Sequence, residues 1–309
     1  MIILLTSTSI VFFVFYKAAN SLIHIKNEKP IHISLNPNEY LFEEVTFKSQ
    51  KDDLTLMGTF FSAKEPSNKT LVVVHGFNEN RLMSGRTETL VKYFVPRGYN
   101  VLAFDLRGQG LSEGNLISFG YFEKYDVCGA IDYLKQRDGV GEKIAIIGFS
   151  MGAVTAIEAA GMDVRVDALI ADSPFNDLER FITNDFNNLL SELSDKTNQS
   201  GEFSYCSVLR YFPFNKAAAG LIAKRYDVNI DEISPIEAVK EISEKPIFLI
   251  HGKEDKIIPY SNSEKIYDAI KKNVNAQFWF SEKAGHIQSI NMYSHEYLEK
   301  LEIFLNGHM

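Results

Sequence analysis

One short segment of the sequence limits the fold more than any other. Residues 143–148 form a β-rich run that is apolar after its first residue, and residues 151–160 are mostly small or apolar. Ser150 stands between them, with glycines at 148 and 152. A strand that turns into a helix over so few residues leaves no room for neighbouring side chains and strains the central residue. The pattern predicts a buried strand, a tight turn that lifts the Ser150 hydroxyl off a sheet, and a helix.

Short β-rich runs alternate with longer amphipathic stretches from residue 40 onward, and the later runs are apolar almost throughout, as in strands buried on both faces. The predicted strands are Leu41–Lys48, Leu54–Phe61, Leu71–His75, Val101–Asp105, Lys143–Gly148, Ala168–Asp172, Ile247–His251 and Gln277–Ser281. The predicted helices include Arg86–Phe94, Tyr121–Lys135, Met151–Ala160 and Ser263–Lys272. This alternation predicts an α/β domain with a doubly wound, mostly parallel eight-stranded sheet, whose reactive groups lie at the carboxyl ends of the strands.

The interval between Pro174 and Pro246 is too long for a single crossover helix. It is rich in Phe and Tyr amid polar helical patterns, with a turn-rich break at residues 195–202. Because long insertions in compact domains are usually functional, we predict an inserted helical lid at about residues 175–245, over the carboxyl edge of the sheet. Two peripheral helices with a flexible loop are the alternative.

The first sixteen residues carry no charged side chain. As a helix they would extend roughly 24 Å, somewhat less than a hydrocarbon core of ~30 Å. Positive charge follows only afterwards, at Lys17, Lys26 and Lys29. We predict that residues 1–29 form an anchor and linker, with membrane attachment through residues 1–23, and that residues 30–309 form a domain on the cytoplasmic side. A cleaved secretory signal and a helix packed on the protein itself or on a partner are the alternatives, which would leave the domain secreted or cytoplasmic.

Composition narrows the classes of partner. Lys and Arg number 32 against 40 for Asp and Glu, and the net charge of −8 argues against a nucleic-acid partner held through phosphates. Cys128 and Cys206 cannot form a disulfide framework, and two free thiols are favoured over one disulfide. No Cys/His spacing is typical of a zinc site, so neither a metal nor a cofactor is predicted. The sequence does not predict an oligomeric state.

A serine hydroxyl is a weak nucleophile until a base removes its proton. Of the seven histidines, His286 follows the last predicted strand, on a loop able to fold over the edge of the sheet. His75 and His251 end strands directly before a glycine, where a histidine more often supports a loop. His286 is therefore the predicted base.

An acid is needed to hold the histidine in the right tautomer and to stabilise its imidazolium form. Asp255 comes four residues after the end of its predicted strand, at the edge where the site is expected. Asp172, at the end of the preceding strand, is a competitor. Asp105 is a weaker one because Arg107 is its expected partner. We predict Asp255.

Charge that develops on a carbonyl oxygen needs hydrogen-bond donors already in place. The backbone N–H of Met151 follows Ser150 and opens the predicted helix. Gly76 permits close backbone approach after the third strand, so the N–H of Phe77 is the predicted second donor. The side chains of Phe77, Asn78 and Phe149 are the predicted substrate contacts.

With these residues assembled, the chain resembles the α/β-hydrolase family, in particular its serine-aminopeptidase-like and membrane-anchored esterase branches. The resemblance extends from about residue 41 to 305. It rests on His75-Gly76, Asp105–Ser112, the Gly148–Gly152 turn, His251–Asp255 with Pro259, and Gly285-His286. The order Ser, Asp, His is that of the family, whereas Gln109 stands where the family often has histidine. The resemblance implies a lid at the position of the long insertion.

These residues predict a serine hydrolase that cleaves carboxylic esters through an acyl-enzyme intermediate. The predicted substrate is a small-molecule ester whose apolar acyl or aryl group lies under the aromatic lid. Cleavage of an amide or peptide, or of an acyl thioester, is the alternative, because the same residues serve all three. Dehalogenase and epoxide-opening chemistry is disfavoured since the turn carries Ser rather than Asp. A non-catalytic binding protein on the same fold is disfavoured by the intact residue set.

Overall fold

The computed structural model describes residues 34–197, 214–242 and 244–309, together with Lys17, Asn20, Ile23 and His24. Eight strands form one sheet in the order β1-β2-β4-β3-β5-β6-β7-β8. The strands are β1 (Phe42–Lys48), β2 (Thr55–Phe61), β3 (Lys69–Val74), β4 (Asn100–Phe104), β5 (Lys143–Phe149), β6 (Ala168–Asp172), β7 (Ile247–Gly252) and β8 (Ala276–Ser281). Each lies within two residues of its predicted bounds, and the predicted fold class is confirmed.

Only β2 runs against its neighbours. It pairs antiparallel with β1 and with β4, whereas every other pair is parallel. Val74 pairs with Gly148, and Gly148 in turn with Ala171. The carboxyl ends of β3, β5 and β6 therefore meet along one edge of the sheet, where loops that follow different strands come together.

Helices cover both faces of the sheet. The α-helices are α1 (Arg86–Phe94), α2 (Glu123–Lys135), α3 (Met151–Met162), α4 (Leu178–Arg180), α5 (Phe186–Thr197), α6 (Phe214–Tyr226), α7 (Pro235–Glu241), α8 (Ser261–Ala269), α9 (Ser289–Met292) and α10 (Ser294–His308). A π-helical turn, Phe181–Asp185, joins α4 to α5. Short 3-10 turns occur at Met83–Gly85, Val95–Arg97 and Ile230–Glu232.

The alternation of side chains along β5 builds the two halves of the core. Ile144 and Ile146 pack on one face with residues of α2 and α3, and Ala145 and Ile147 pack on the other face with residues of α1 and α10. All four are fully buried. Burial of an aliphatic side chain of this size contributes about 1.5–3 kcal/mol, so a strand buried on both faces must be apolar throughout.

Glu158 on α3 is an exception within this apolar layer. It is 6% exposed, and its Oε1 has no hydrogen-bond partner among the described residues. Burial raises the pKa of its carboxyl to about 7, although Lys124 and a backbone hydrogen bond from Ser234 act in the opposite direction. The folded chain therefore keeps a proton that the unfolded chain loses between pH 4.5 and 7, and folding stability falls as pH rises through this range.

Glu158→Gln is expected to remove this loss because the amide does not ionise. We expect it to stabilise the fold by about 2 kcal/mol at pH 8 and to have little effect at pH 4.5. Urea unfolding at the two pH values measures the difference, with Glu241→Gln, at the exposed last residue of α7, as the matched control. An equal effect at both pH values would show that Glu158 does not titrate in this way.

The segment between β6 and β7 contains more helix than one crossover needs. A Cβ atom added at Gly161 of α3 would lie 3.5 Å from the Ala238 carbonyl oxygen, so α7 packs directly on α3 as a crossover helix does. The additional helices are α4, α5 and α6. Residues 198–213, which include Cys206 and most of the predicted break, lie outside the described residues. The action of these helices as a lid stays a prediction.

Cys128 is a buried free thiol on α2, and burial raises its pKa to about 12. It is therefore a packing residue rather than a reactive thiol at neutral pH.

Most of the N-terminal segment, including residues 1–16, lies outside the described residues, and with it most of the predicted anchor. Among the residues that are described, none of the helices has the length and apolar character needed to cross a membrane. Ile23 is buried, and its carbonyl oxygen accepts a hydrogen bond of 2.8 Å from the N–H of Ile117.

Candidate active site

The turn between β5 and α3 holds Ser150 in a conformation that few residues adopt. Its φ is 54° and its ψ is −119°. A Cβ atom at Gly148 would overlap the carbonyl of Gly152, and one at Gly152 would overlap the carbonyl of His75. The Ser150 N–H donates to the Asp172 carbonyl oxygen at 2.8 Å, which fixes the turn against β6. Both positions therefore require glycine, because any side chain there would overlap a backbone carbonyl. The packing around residue 150 maintains its strained conformation.

His286 lies over this turn. Its Nε2 is 2.8 Å from the Ser150 Oγ, although 136 residues separate the two in sequence. The loop that carries it is fastened to the end of β7, because the Glu254 N–H donates to the Ala284 carbonyl oxygen at 3.0 Å. A Cβ atom at Gly252 would overlap that same carbonyl, so only glycine allows the approach.

Asp255 lies on the other side of the imidazole. Its Oδ2 is 2.7 Å from His286 Nδ1, and its Oδ1 accepts hydrogen bonds of 2.9 Å from the N–H groups of Ile257 and Ile258. Burial alone would raise the pKa of this carboxyl, but the charge of His286 and the hydrogen bonds of His251 and His286 hold it well below its usual range. The carboxyl is therefore ionised wherever the protein is folded near neutral pH.

Neither competing aspartate contacts His286 through its side chain. Asp172 is fully buried and accepts from Tyr297 Oη at 3.0 Å and from Ser173 Oγ at 2.9 Å. Burial raises the pKa of Asp172, so this carboxyl is a poorer partner for an imidazolium than Asp255.

The predicted pairing of Asp105 with Arg107 is wrong. Asp105 forms an ion pair with Arg81, whereas Arg107 binds Asp126 and Asp52. The Asp105 carboxylate also accepts from the Leu111 N–H at 2.8 Å and so closes its own loop. The guanidinium of Arg107 instead reaches Asp126, which is fully buried on α2 and cannot stay charged without a partner.

The loop after β3 approaches the turn closely. A Cβ atom at Gly76 would lie 3.5 Å from the Ser150 Cβ, so the backbone before Phe77 passes beside the serine. The Met151 N–H opens α3 directly after Ser150. Asn78, in the same loop, has a positive φ of 56°. The predicted donors therefore belong to two segments that flank Ser150, at a helix N-terminus that favours negative charge.

Two groups that sequence reasoning missed hold this loop. The Glu79 carboxylate accepts the Gly76 N–H at 2.9 Å and forms a buried ion pair with Arg86. Burial alone would raise the pKa of Glu79, but Arg86 lowers it, so the carboxylate is charged. Glu79 comes three residues after Gly76. A charged residue so close to the end of an apolar strand is the one feature of the sequence that indicates a role in this loop.

His75 supports the same loop, as predicted. Its Nδ1 is 2.8 Å from the Gly76 carbonyl oxygen, and its Nε2 accepts the Leu106 N–H at 3.0 Å. Burial lowers its pKa, which agrees with a neutral ring that donates from Nδ1 and accepts at Nε2.

The side chain of Phe149 does not join the predicted substrate contacts. It is 1% exposed within the core, with the Arg86 guanidinium 5.0 Å from its ring centre. A ring that is enclosed in this way packs the end of β5 and has no surface for a substrate. Phe77 differs, because its half-buried ring stacks on Phe119 at 5.1 Å between ring centres.

An apolar cavity, partly open to solvent, has Phe119 in its wall. Its walls include Phe119, Phe181, Ile182, Phe186, Ile222 and Ala223. Because Phe119 also stacks on Phe77, the cavity and the loop beside Ser150 share one aromatic wall. In the part of the chain that the structure describes, no three His, Cys, Asp or Glu side chains form a group able to hold a metal ion.

A sheet of this strand order, with a serine at the strained turn after β5, defines an α/β hydrolase. A family model described as serine aminopeptidase, S33, matches residues 65–210. The protein YqkD of Bacillus subtilis is 30% identical over 247 residues, which cover 79% of this chain and 73% of YqkD. The chain belongs to the serine-aminopeptidase-like family of α/β hydrolases, and it is a hydrolase of the esterase, lipase and peptidase type.

Two further proteins are similar to it. The lysophosphatidylserine lipase ABHD12 of Danio rerio is 26% identical over 217 residues, which cover 68% of this chain and 50% of that protein. The solved structure of the esterase Pf2001 of Pyrococcus furiosus matches with a TM-score of 0.72 at 23% identity, over 92% of this chain and 98% of that one. This last likeness concerns the fold.

Proposed function

We propose that this protein is a serine hydrolase that cleaves carboxylic esters, with Ser150 as nucleophile, His286 as base and Asp255 as the acid that orients the base. The observation that carries the proposal is the pair of contacts at His286, 2.8 Å to Ser150 Oγ and 2.7 Å to Asp255 Oδ2. Both fall within the reach that proton transfer and tautomer control require.

The reaction follows from these contacts. His286 donates its Nδ1–H to Asp255, so its Nε2 is free to take the Ser150 proton as Oγ attacks the ester carbonyl. The oxyanion that forms accepts from the N–H groups of Met151 and Phe77. The intermediate expels the alcohol, which receives the proton from Nε2 and leaves an acyl group on Ser150. Water, deprotonated by His286, then releases the carboxylic acid and restores the serine.

The apolar cavity favours a substrate whose acyl group is apolar and binds within it. Its walls carry aliphatic and aromatic side chains, and the shared ring of Phe119 leads to it from the loop beside Ser150. Burial of each methylene group contributes about 0.8 kcal/mol, so turnover is expected to improve as the acyl chain fills the space. The relative ABHD12 is also named as a lipase, that is, as an enzyme whose substrate is an acyl ester of a lipid.

Filling the cavity tests this assignment. Ala223 lines it and is buried on α6, while the next residue, Lys224, is exposed. Ala223→Phe is expected to reduce kcat/KM for a long-chain nitrophenyl ester by about tenfold or more, with little change for the acetate, because overpacking costs about 1–3 kcal/mol. Lys224→Phe adds the same ring outside the cavity and should leave both rates unchanged. Equal loss for both esters would place the acyl group elsewhere.

An amide or peptide substrate is the second candidate, because the matching family model is that of a serine aminopeptidase. Labelling with a fluorophosphonate, followed by a chain-length series of nitrophenyl esters beside aminoacyl amides, separates the two. The ester proposal expects labelling of Ser150 and faster cleavage of the esters. Faster cleavage of the amides would favour the peptidase, and labelling without turnover of either series would favour an acyl thioester.

Membrane attachment through residues 1–23 remains our prediction for the location of this hydrolase. It rests on the uncharged run of the first sixteen residues. The full chain is expected to float with vesicles of neutral phospholipid in a density gradient and to stay with them at high salt, because apolar burial is not screened by ions. Recovery of the chain in the vesicle-free fractions would contradict the anchor.

A further inference from the structure

A second histidine lies against the carboxylate that holds His286. His251, in β7, is fully buried. Its Nε2 is 3.1 Å from Asp255 Oδ2 and 2.8 Å from the Ile258 carbonyl oxygen. Its Nδ1 is 2.7 Å from Ser263 Oγ at the start of α8. The ring therefore joins the strand, the loop that carries Asp255, and the helix that follows.

These contacts determine which nitrogen of His251 carries a proton. A carboxylate oxygen and a carbonyl oxygen can only accept, so Nε2 must be the donor to both. The Ser263 hydroxyl can donate to Nδ1, which then needs no proton of its own. A neutral Nε2–H ring satisfies every partner at once.

The Asp255 carboxylate is consequently held by four donors. The backbone N–H groups of Ile257 and Ile258 occupy Oδ1, while His251 and His286 share Oδ2. A carboxylate offers about four acceptor sites, so this one is filled and cannot turn about its terminal bond. The donor from His251 also draws charge from the same oxygen that His286 uses.

We propose that His251 is a positioning residue of this hydrolase, an inference that rests on the function proposed for Ser150, His286 and Asp255. It fixes the plane of the Asp255 carboxylate and limits the negative charge that Oδ2 presents to His286. Its effect reaches the substrate only through Asp255 and His286, so it is not itself a catalytic residue.

The other charged groups around His251 are few. Asp255 faces it from its own loop, and Asp172 faces it from β6, where the carboxyl lies close enough to interact electrostatically with His251 and His286. The partners on α8 and at Ile258 are neutral. Because Asp172 and Asp255 are unchanged in a variant of residue 251, a difference between the pH profiles of two such variants reports on the lost contact.

The matched variants are His251→Asn and His251→Gln. Both keep a polar amide in the buried site, but the Asn amide reaches only the position of Nδ1, whereas the Gln amide reaches that of Nε2. We expect His251→Asn to lower kcat about tenfold with KM nearly unchanged, since a loss in the transition state alone has this signature. It should also move the acid limb of kcat/KM to higher pH, because Oδ2 then presents more charge to the imidazolium. His251→Gln should keep most of the native kcat and a nearly native acid limb.

A measurement on the native chain does not depend on turnover. In protein labelled with ¹⁵N-histidine, His251 is expected to show a protonated Nε2 and an unprotonated Nδ1, with its signals assigned by their loss in His251→Gln. The Nδ1–H proton of His286 is expected to shift in His251→Asn and to stay in place in His251→Gln. Thermal unfolding of each variant corrects the rates for the fraction that is folded.

The outcomes separate the two proposals. A labelled, active native enzyme whose acid limb does not move in His251→Asn would overturn the role of His251 alone, and so would an Nδ1–H tautomer in the native chain. Equal losses in both variants would also overturn it, because they would reflect disrupted packing rather than a lost donor. Absence of fluorophosphonate labelling of the native chain would overturn the hydrolase function, and with it the role of His251 in that function.

Discussion

Replacement of Ser150 by alanine is expected to reduce ester turnover by about 10⁶-fold, since the attacking oxygen is lost and only binding and the oxyanion donors remain. The fold should persist. The alanine methyl group occupies the position of the serine Cβ, and the strain at a φ of 54° is the same for both residues. Turnover of a nitrophenyl ester and thermal unfolding together measure the two expectations.

The control for this substitution is Ser84→Ala. Ser84 also has a positive φ, of 70°, but it is exposed in the 3-10 turn before α1. The Ser84 hydroxyl donates to Glu79 Oε1 at 3.2 Å, but Gly76 and Arg86 bind the other oxygen of that carboxylate. Turnover of Ser84→Ala should therefore stay within about twofold of the native chain, as for most surface substitutions. If Ser150→Ala still cleaved the nitrophenyl ester at a substantial rate, Ser150 would not be the nucleophile.

Asp255→Asn is expected to reduce kcat by about 10⁴-fold, because an amide that donates to Nδ1 favours the tautomer in which Nε2 carries the proton. His286 then has no lone pair available for the Ser150 hydroxyl. The Asp255 carboxylate accepts hydrogen bonds from four groups. In Asp255→Asn the amide NH₂ faces groups that also donate, so a hydrogen bond is lost and we expect some loss of folding stability as well as of rate.

Asp172→Asn is the comparison for this variant. Asp172 accepts from Tyr297 and Ser173 rather than from His286, so its effect on kcat should be much smaller. Measuring kcat for both variants over a pH series, with unfolding to correct for the folded fraction, decides between them. A greater loss in Asp172→Asn would mean that Asp172 is the acid.

Local patterns in the sequence were sufficient for the fold. The period of two along β5 distributes Ile144 and Ala145 to opposite faces. The glycine at 148 is required by a contact with Gly152 in the same turn, whereas the glycine at 152 is required by the backbone at the end of β3. Helix α2 begins at Glu123 rather than at the predicted Tyr121. The Glu123 carboxylate accepts the N–H groups of Ser118 and Gly120, which closes a turn before the helix.

The partners of buried charges could not be predicted in the same way. Nothing in the sequence near Arg107 indicates that its guanidinium reaches Asp126 on α2, because the strand order decides which elements meet. The same holds for Arg86, which comes seven residues after Glu79 and yet supports the loop beside Ser150. Sequence spacing predicts the face of an element on which a residue lies, whereas tertiary packing decides what that residue meets.

The candidate site contains residues that local sequence patterns predict and residues whose contacts only the tertiary fold decides. Ser150, Asp255 and His286 follow the ends of β5, β7 and β8, and the structure brings the three side chains together. Phe149 also stands at a strand end, but an enclosed ring and an exposed ring look alike in a sequence. The sequence predicts that His251 supports a loop, whereas its contact with Asp255 depends on the fold of the loop after β7.

The bond between the Glu254 N–H and the Ala284 carbonyl has a consequence for how such a protein diversifies. It joins the loops after β7 and β8 to each other. The cavity walls come instead from Ile23, from the segment after β4 and from the segment between β6 and β7. With the cavity as the proposed site of the acyl group, substitutions in those walls are expected to alter substrate preference and to leave the contacts of His286 unchanged. Selection can therefore act on preference and on chemistry independently.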